Sequence, residues 1–211
     1  MTLAAATRWA PPEGVTVRGT VVLLPGRGEH PGLYARLGAR LAFDGYRVTI
    51  DEADLGGPAP VVLLGHDTGA VRALELAERR PVAAVVASGL PLGGPGGWTD
   101  ELDARTACPV HRALLDGDDR FVPGELREPV PGRVAEPGVP VLVLHGEADR
   151  VAAPAAAREF AETLPAGRFV LVGGGRHDVL NDVDHRSVAA EVVQFLEWLR
   201  AGTRSPALVR G

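Results

Sequence analysis

Short apolar runs separated by amphipathic stretches set the strongest constraint on what this chain can fold into. The runs are Val21-Val22-Leu23-Leu24, Arg47-Val48-Thr49-Ile50, Val61-Val62-Leu63-Leu64, Val82 to Ala87, Val141-Leu142-Val143-Leu144 and Phe169-Val170-Leu171-Val172. They are short, rich in β-branched residues and apolar at consecutive positions. Strands built from them need cover on both faces, as parallel strands do. Thr16 to Arg18 is expected to add a leading edge strand. Between the runs, Leu33 to Phe43, Ala70 to Arg79, Ala155 to Leu164 and Ser187 to Arg200 place apolar residues at helical spacing; in the last, Val188, Val192, Phe195 and Leu199 share one stripe. The alternation predicts an α/β fold, a mostly parallel twisted sheet with helices on both faces. At 211 residues, one domain spanning 1–211 accounts for the chain.

Two places break the rhythm. From Asp51 to Pro60 the chain passes between strands without room for a crossover helix. Parallel neighbours need about a dozen residues, so these strands are expected not to be adjacent, or the layer to be trimmed. From Pro91 to Pro140 the chain is rich in Gly and Pro, including Gly93-Gly94-Pro95-Gly96-Gly97, with helix-like pieces near Thr99 to Ala107 and His111 to Leu115. This 91–140 insertion is expected to form a small lid over the C-terminal edge of the sheet.

Composition narrows the function classes. A formal net charge of -5 argues against nucleic-acid and anionic-membrane partners and leaves a small-molecule substrate. The N-terminal residues show no signal-peptide pattern, and no run approaches the ~18 apolar residues of a membrane helix, so a cytoplasmic location is expected. All 22 basic residues are Arg, which reads as the mark of a GC-rich bacterial genome. Cys108 stands alone, and His145, His177 and His185 lack metal-ligand spacing, so neither a metal nor another cofactor is expected. Oligomeric state is not legible.

The chemistry centres on Gly65-His66-Asp67-Thr68-Gly69-Ala70, which follows the Val61–Leu64 run and opens a helix. Small residues two before and two after a central polar residue are the layout of a nucleophile elbow. There a strained strand-to-helix turn lifts one side chain above the sheet. The central residue is Asp67; the plainer alternative makes it a helix N-cap.

The chain resembles the α/β-hydrolase superfamily from roughly Gly19 to Leu199. Pro25-Gly26-Arg27-Gly28-Glu29-His30-Pro31-Gly32-Leu33-Tyr34, with Gly45-Tyr46-Arg47-Val48, is similar to the opening of its monoacylglycerol lipase and lysophospholipase branch. His145-Gly146-Glu147-Ala148-Asp149 resembles the acid loop, and Gly173-Gly174-Gly175-Arg176-His177-Asp178 the histidine loop. The resemblance implies a reduced-size α/β-hydrolase fold with Asp67, His177 and Asp149 as the working triad. Asp178 or Asp182 could replace Asp149. The N–H groups of Arg27 and Thr68 would form an oxyanion hole, and the Arg27 guanidinium could receive an anionic substrate.

A carboxylate at the elbow changes the reaction class. Attack on an acyl carbon would give an anhydride, whereas displacement at an sp³ carbon gives an alkyl ester that His-activated water hydrolyses. Haloalkane dehalogenases and epoxide hydrolases of the superfamily work that way. Here Thr68 stands where the dehalogenases carry Trp, and the 91–140 region has no Tyr to serve as the epoxide acid; Trp98, His111 and Arg112 are its obvious helpers. The expected enzyme is therefore a hydrolase acting on a small, largely apolar molecule, through an alkyl-enzyme ester or Asp67-assisted attack of water on an ester. Two alternatives stay open: a lyase, cyclase or isomerase of bacterial secondary metabolism exchanging protons between Asp67 and His177, and a ligand-binding protein on a hydrolase scaffold. Glu29 and His30 are expected to tie the first loop and His66 to pack under the elbow, with Ser88, His111 and Cys108 structural.

Overall fold

The computed structural model describes residues 8–50, 52–93, 96–130 and 134–202. Asp51, Gly94 and Pro95 lie outside them, as do the first residues, on which the targeting expectation partly rests. Seven strands, β1 (Arg8–Trp9), β2 (Gly19–Leu24), β3 (Tyr46–Thr49), β4 (Val61–His66), β5 (Ala84–Ser88), β6 (Val141–Gly146) and β7 (Gly167–Val172), form one sheet. Its order is β1-β3-β2-β4-β5-β6-β7. Every pairing is parallel except β1 with β3.

The order explains the short link after β3. Strand β2 lies between β3 and β4 and pairs with both, so the chain need not loop back onto an adjacent parallel strand. Within that link the described residues form a 3-10 turn, Glu52–Gly56, instead of a helix. Asp54 on the turn accepts from the Thr49 hydroxyl at 2.8 Å and pairs with Arg8 at 2.8 Å, which anchors the edge. The leading edge strand is Arg8–Trp9, not Thr16 to Arg18; those residues instead lead into β2, with the Arg18 N–H donating to the Gly45 carbonyl oxygen.

The described residues form six helices: α1 (Ala35–Phe43), α2 (Thr68–Arg79), α3 (Glu101–Arg105), α4 (Pro109–Gly117), α5 (Pro154–Thr163) and α6 (His185–Ala201). Strand alternation divides the core in two. Val21, Leu23, Val62, Leu64, Leu142 and Leu144 pack with Leu37 and Leu41 of α1 and Val192 and Phe195 of α6. Val22, Leu63, Val85, Val141 and Val143 pack on the other face with Leu74 of α2 and Ala157 of α5. Burial of each large apolar side chain contributes about 1.5–3 kcal/mol, so the central strands hold the loops at their ends in register. At the edge of the sheet β7 is only partly buried. No described helix is long and apolar enough to cross a membrane.

A close crossing joins β4 to α2. A Cβ on Gly65 would lie 2.2 Å from the Gly69 carbonyl oxygen, and one on Gly69 would lie 2.1 Å from the Leu24 carbonyl oxygen. These are backbone atoms held by the sheet and cannot shift cheaply. Gly65→Ala is therefore expected to destabilise the protein by about 1–3 kcal/mol. Thermal unfolding should show a Tm lowered by roughly 5 °C; an unchanged Tm would contradict this packing.

Candidate active site

Four strand ends converge on one edge of the sheet, where ligands of open α/β sheets bind. The loops after β2, β4, β6 and β7 bring Arg27, Asp67, Asp149 and His177 together. Asp67 turns the chain from β4 into α2 with φ 52° and ψ -122°, and among the described residues it is the one non-glycine with positive φ. Such a backbone costs about 1–3 kcal/mol and persists because the surroundings enforce it. Its N–H is fixed by the Ser88 carbonyl oxygen at 2.9 Å.

Asp67 does not cap α2 with its side chain. Both carboxylate oxygens turn to Arg27 instead. Oδ2 accepts from the Arg27 backbone N–H at 3.0 Å and from Nε at 2.8 Å, while Oδ1 accepts from Nη2 at 2.7 Å. The carboxylate is wholly buried and the Arg27 side chain is 10% exposed, so this is a desolvated bidentate pair. Burial alone would raise the Asp67 pKa, but Arg27 and His177 outweigh it and hold the carboxyl well below the usual range. Thr68 opens α2, and its N–H belongs to the first turn, which lacks intrahelical acceptors.

His177 sits on the other side of Oδ1, with Nε2 at 3.5 Å, a gap longer than a good hydrogen bond. Its Nδ1–H donates to Asp149 Oδ2 at 2.9 Å. The other Asp149 oxygen accepts from the N–H groups of Val151 and Ala152 at 2.7 and 3.1 Å, and His145 Nε2 lies 2.9 Å from Oδ2. Burial would lower the His177 pKa, but Asp149 first and Asp67 second push it up to about 10. The imidazole is thus charged at neutral pH, between two carboxylates.

The remaining candidates separate cleanly. Asp178 pairs with His111 at 3.1 Å, and Asp182 accepts from the Thr106 hydroxyl and the Ala107 and Cys108 N–H groups. Neither takes the place of Asp149. Glu29 ties the first loop by accepting from the Gly26 N–H at 3.0 Å, and His30 does so by accepting from the Gly32 N–H at 3.1 Å. His66 packs against His177 with ring centroids 5.0 Å apart, and Ser88 is a buried strand end. His111 and Cys108 are buried in and before α4; Trp98 stacks on Arg127, and Arg112 pairs with Asp103. Glu29, His66 and Asp178 bring possible ligand atoms within 4.8 Å of one another, a grouping that histidine spacing alone did not reveal. Arg105 was also missed. It is wholly buried, bonded to Glu29, Glu101 and the Arg27 carbonyl oxygen, and an arginine on a short helix gives no sequence sign of an internal partner.

Comparison with known proteins bears on the fold. A family model described as serine aminopeptidase, S33, matches residues 128–184, the stretch that contains Asp149 and His177. No curated protein sequence matches the chain. Among solved structures, a soluble variant of monoglyceride lipase from Saccharomyces cerevisiae superposes with a TM-score of 0.73 at 20% identity, covering 91% of this chain and 90% of that one. Monoacylglycerol lipase from Paleococcus ferrophilus gives 0.69 at 19% identity, covering 92% and 97%. The esterase RhEst1 from Rhodococcus sp. gives 0.67 at 19%, covering 88% and 93%. The sheet order, the elbow after β4 and these superpositions together establish that the chain has the α/β-hydrolase fold.

Proposed function

We propose that this protein is a hydrolase acting on a small, largely apolar organic molecule, with Asp67 as nucleophile, His177 as the proton-transfer group and Asp149 as its partner. One observation carries the reading: Asp67 turns Oδ2 into a backbone N–H while Oδ1 faces the imidazole across 3.5 Å. A carboxylate so held has one oxygen placed for an oxyanion hole and the other for attack. The lipase and esterase neighbours support hydrolysis as the class of reaction.

The chemistry balances as follows. Asp67 Oδ1 forms a bond to an sp³ carbon as the bond to the leaving group breaks, and the leaving group departs with the electron pair. The resulting alkyl ester is neutral, so one of the two anions that keep His177 charged is lost. The imidazolium then gives its proton to the leaving group where that is a basic oxygen, as from an epoxide, or to water where it is a halide. Neutral His177 next takes a proton from water as the water oxygen attacks the Asp67 carboxyl carbon. The Arg27 and Thr68 N–H groups would stabilise the oxyanion on Oδ2. Collapse returns that proton from His177 to the departing alcohol. The carboxyl proton left on Asp67 then passes to His177, which restores the carboxylate, now carrying one oxygen from water, and the imidazolium. Asp67-assisted attack of water on an ester is the other hydrolytic route at this site.

The charged state of His177 favours a second reading. An imidazolium opposite a carboxylate is an acid paired with a base, the equipment of a lyase, cyclase or isomerase that moves protons without consuming water.

Two measurements test this account. In ¹⁵N NMR of the imidazole side chains, His177 should stay doubly protonated at pH 8 and titrate near 10; a neutral ring at pH 7 would overturn the charge-switch step. The sign for stability follows: the His177 contribution is complete below pH 6.5 and is lost as pH rises through about 10. Asp67 contributes in the opposite sense, above its ordinary value of 3.8, and its contribution is lost on acidification. For the reaction, a panel of haloalkanes, epoxides and p-nitrophenyl esters should be turned over in ¹⁸O water and the Asp67 peptide weighed. One heavy oxygen in that peptide, with turnover abolished by Asp67→Asn, is the expected result. Turnover with an unlabelled peptide would exclude the alkyl ester, and binding without turnover of any class would favour a ligand-binding protein.

A further inference from the structure

Arg27 makes a second set of contacts that the chemistry above leaves unused. Its Nη1 donates to the Leu126 carbonyl oxygen at 3.1 Å and to the Glu128 carbonyl oxygen at 2.5 Å. Both belong to a strap, residues 121–128, that follows α4 and runs against the loop after β2. The Val122 N–H donates to the Gly28 carbonyl oxygen at 2.9 Å. One planar guanidinium therefore has Nε and Nη2 on Asp67 and Nη1 on the strap. The fork is rigid, so one side cannot turn away without disturbing the other.

The strap is pinned at two points: Phe121 joins the main core with the Arg105 guanidinium 5.0 Å from its ring, and Leu126 packs with Trp98, Ala104 and Val151. Phe121 and Leu126 are buried, the Gly124 N–H donates to Glu101 Oε2 at 2.5 Å, and the Arg127 guanidinium lies 4.1 Å from the Trp98 ring centre. Val122, Pro123, Gly124, Arg127 and Glu128 face solvent. Between the buried Phe121 and Leu126 the segment is exposed and its backbone is bonded through exposed groups, which places it below the sheet strands in local stability. Asp67 and His177, by contrast, are wholly buried, so no substrate reaches them unless something above them moves.

We propose that the 121–128 strap is a gate latched by the Asp67–Arg27 pair, so that opening the strap and releasing Asp67 from the guanidinium are one event. Arg27 is then a positioning residue: closed, it quenches the carboxylate; open, it leaves Oδ1 free to attack. The functional meaning rests on Asp67 being the reacting group, but the coupling is measurable without any substrate.

Hydrogen–deuterium exchange with mass spectrometry, on the full chain, tests it. Peptides covering 118–130 are compared with those of β4 and β5 in the parent protein, Asp67→Asn and Arg27→Gln. Asp67→Asn changes only a buried group of nearly the same shape and touches no strap residue. The strap should nonetheless exchange at least about threefold faster in both variants, with the β4 and β5 peptides unchanged. Strap exchange less than about threefold faster in Asp67→Asn, or faster only in step with the core strands, would overturn the coupling. Should Arg27→Gln fail to fold by circular dichroism, Asp67→Asn decides on the same criterion. Failure here leaves the ¹⁸O result untouched, so gate and chemistry are judged separately.

Discussion

The ion pair between Asp67 and Arg27 is the interaction on which the rest of the site depends. A wholly buried carboxylate on a strained turn is costly unless a partner meets it with good geometry. Arg27 provides that partner twice, through its side-chain fork and its own backbone N–H. The turn in turn depends on Gly65 and Gly69, which let β4, α2 and the end of β2 approach closely enough for Arg27 and Asp67 to meet. Fold and electrostatics are thus one constraint: the close crossing makes the pair possible, and the pair sets the carboxylate's orientation.

Around this pair the charges are layered. His177 lies between Asp67 and Asp149, and two backbone N–H groups fix Asp149 from behind. A second buried set, Glu29 with Arg105, Tyr34 and the Gly26 N–H, supports the loop that carries Arg27. Arg105 also donates to the Arg27 carbonyl oxygen at 2.7 Å, which ties α3 to the same loop. Chemistry that removes one charge from such a chain changes its neighbours, which is why loss of the Asp67 charge bears directly on the proton held by His177.

The fold was legible because its signals are local. Runs such as Val61–Leu64 and Val141–Leu144 are apolar on both faces for the plain reason that helices cover both. The short link at 51–60 pointed either to non-adjacent strands or to a trimmed layer, and β2 lies between β3 and β4. The edge strand was misplaced because Arg8–Trp9 is two residues long and carries no alternation. Asp67, Asp149 and His177, which the structure brings together, could be singled out as candidates because the motif around each follows a strand end. Arg27 was legible only as an N–H donor and anion receiver. Its real partners, a carboxylate 40 positions away and carbonyl oxygens about 100 positions away, depend on tertiary approach that no spacing encodes. For the same reason Arg105 was invisible: its partners assemble only when α3 lies against the first loop.

A double-mutant cycle on chemical unfolding, with Asp67→Asn, Arg27→Gln and the pair combined, measures this interaction most directly. The account predicts a coupling of about 2 kcal/mol, because either single change strands a buried charge that the double change relieves. Effects that simply add, to within about 0.5 kcal/mol, would mean that the two groups do not depend on each other and would contradict it.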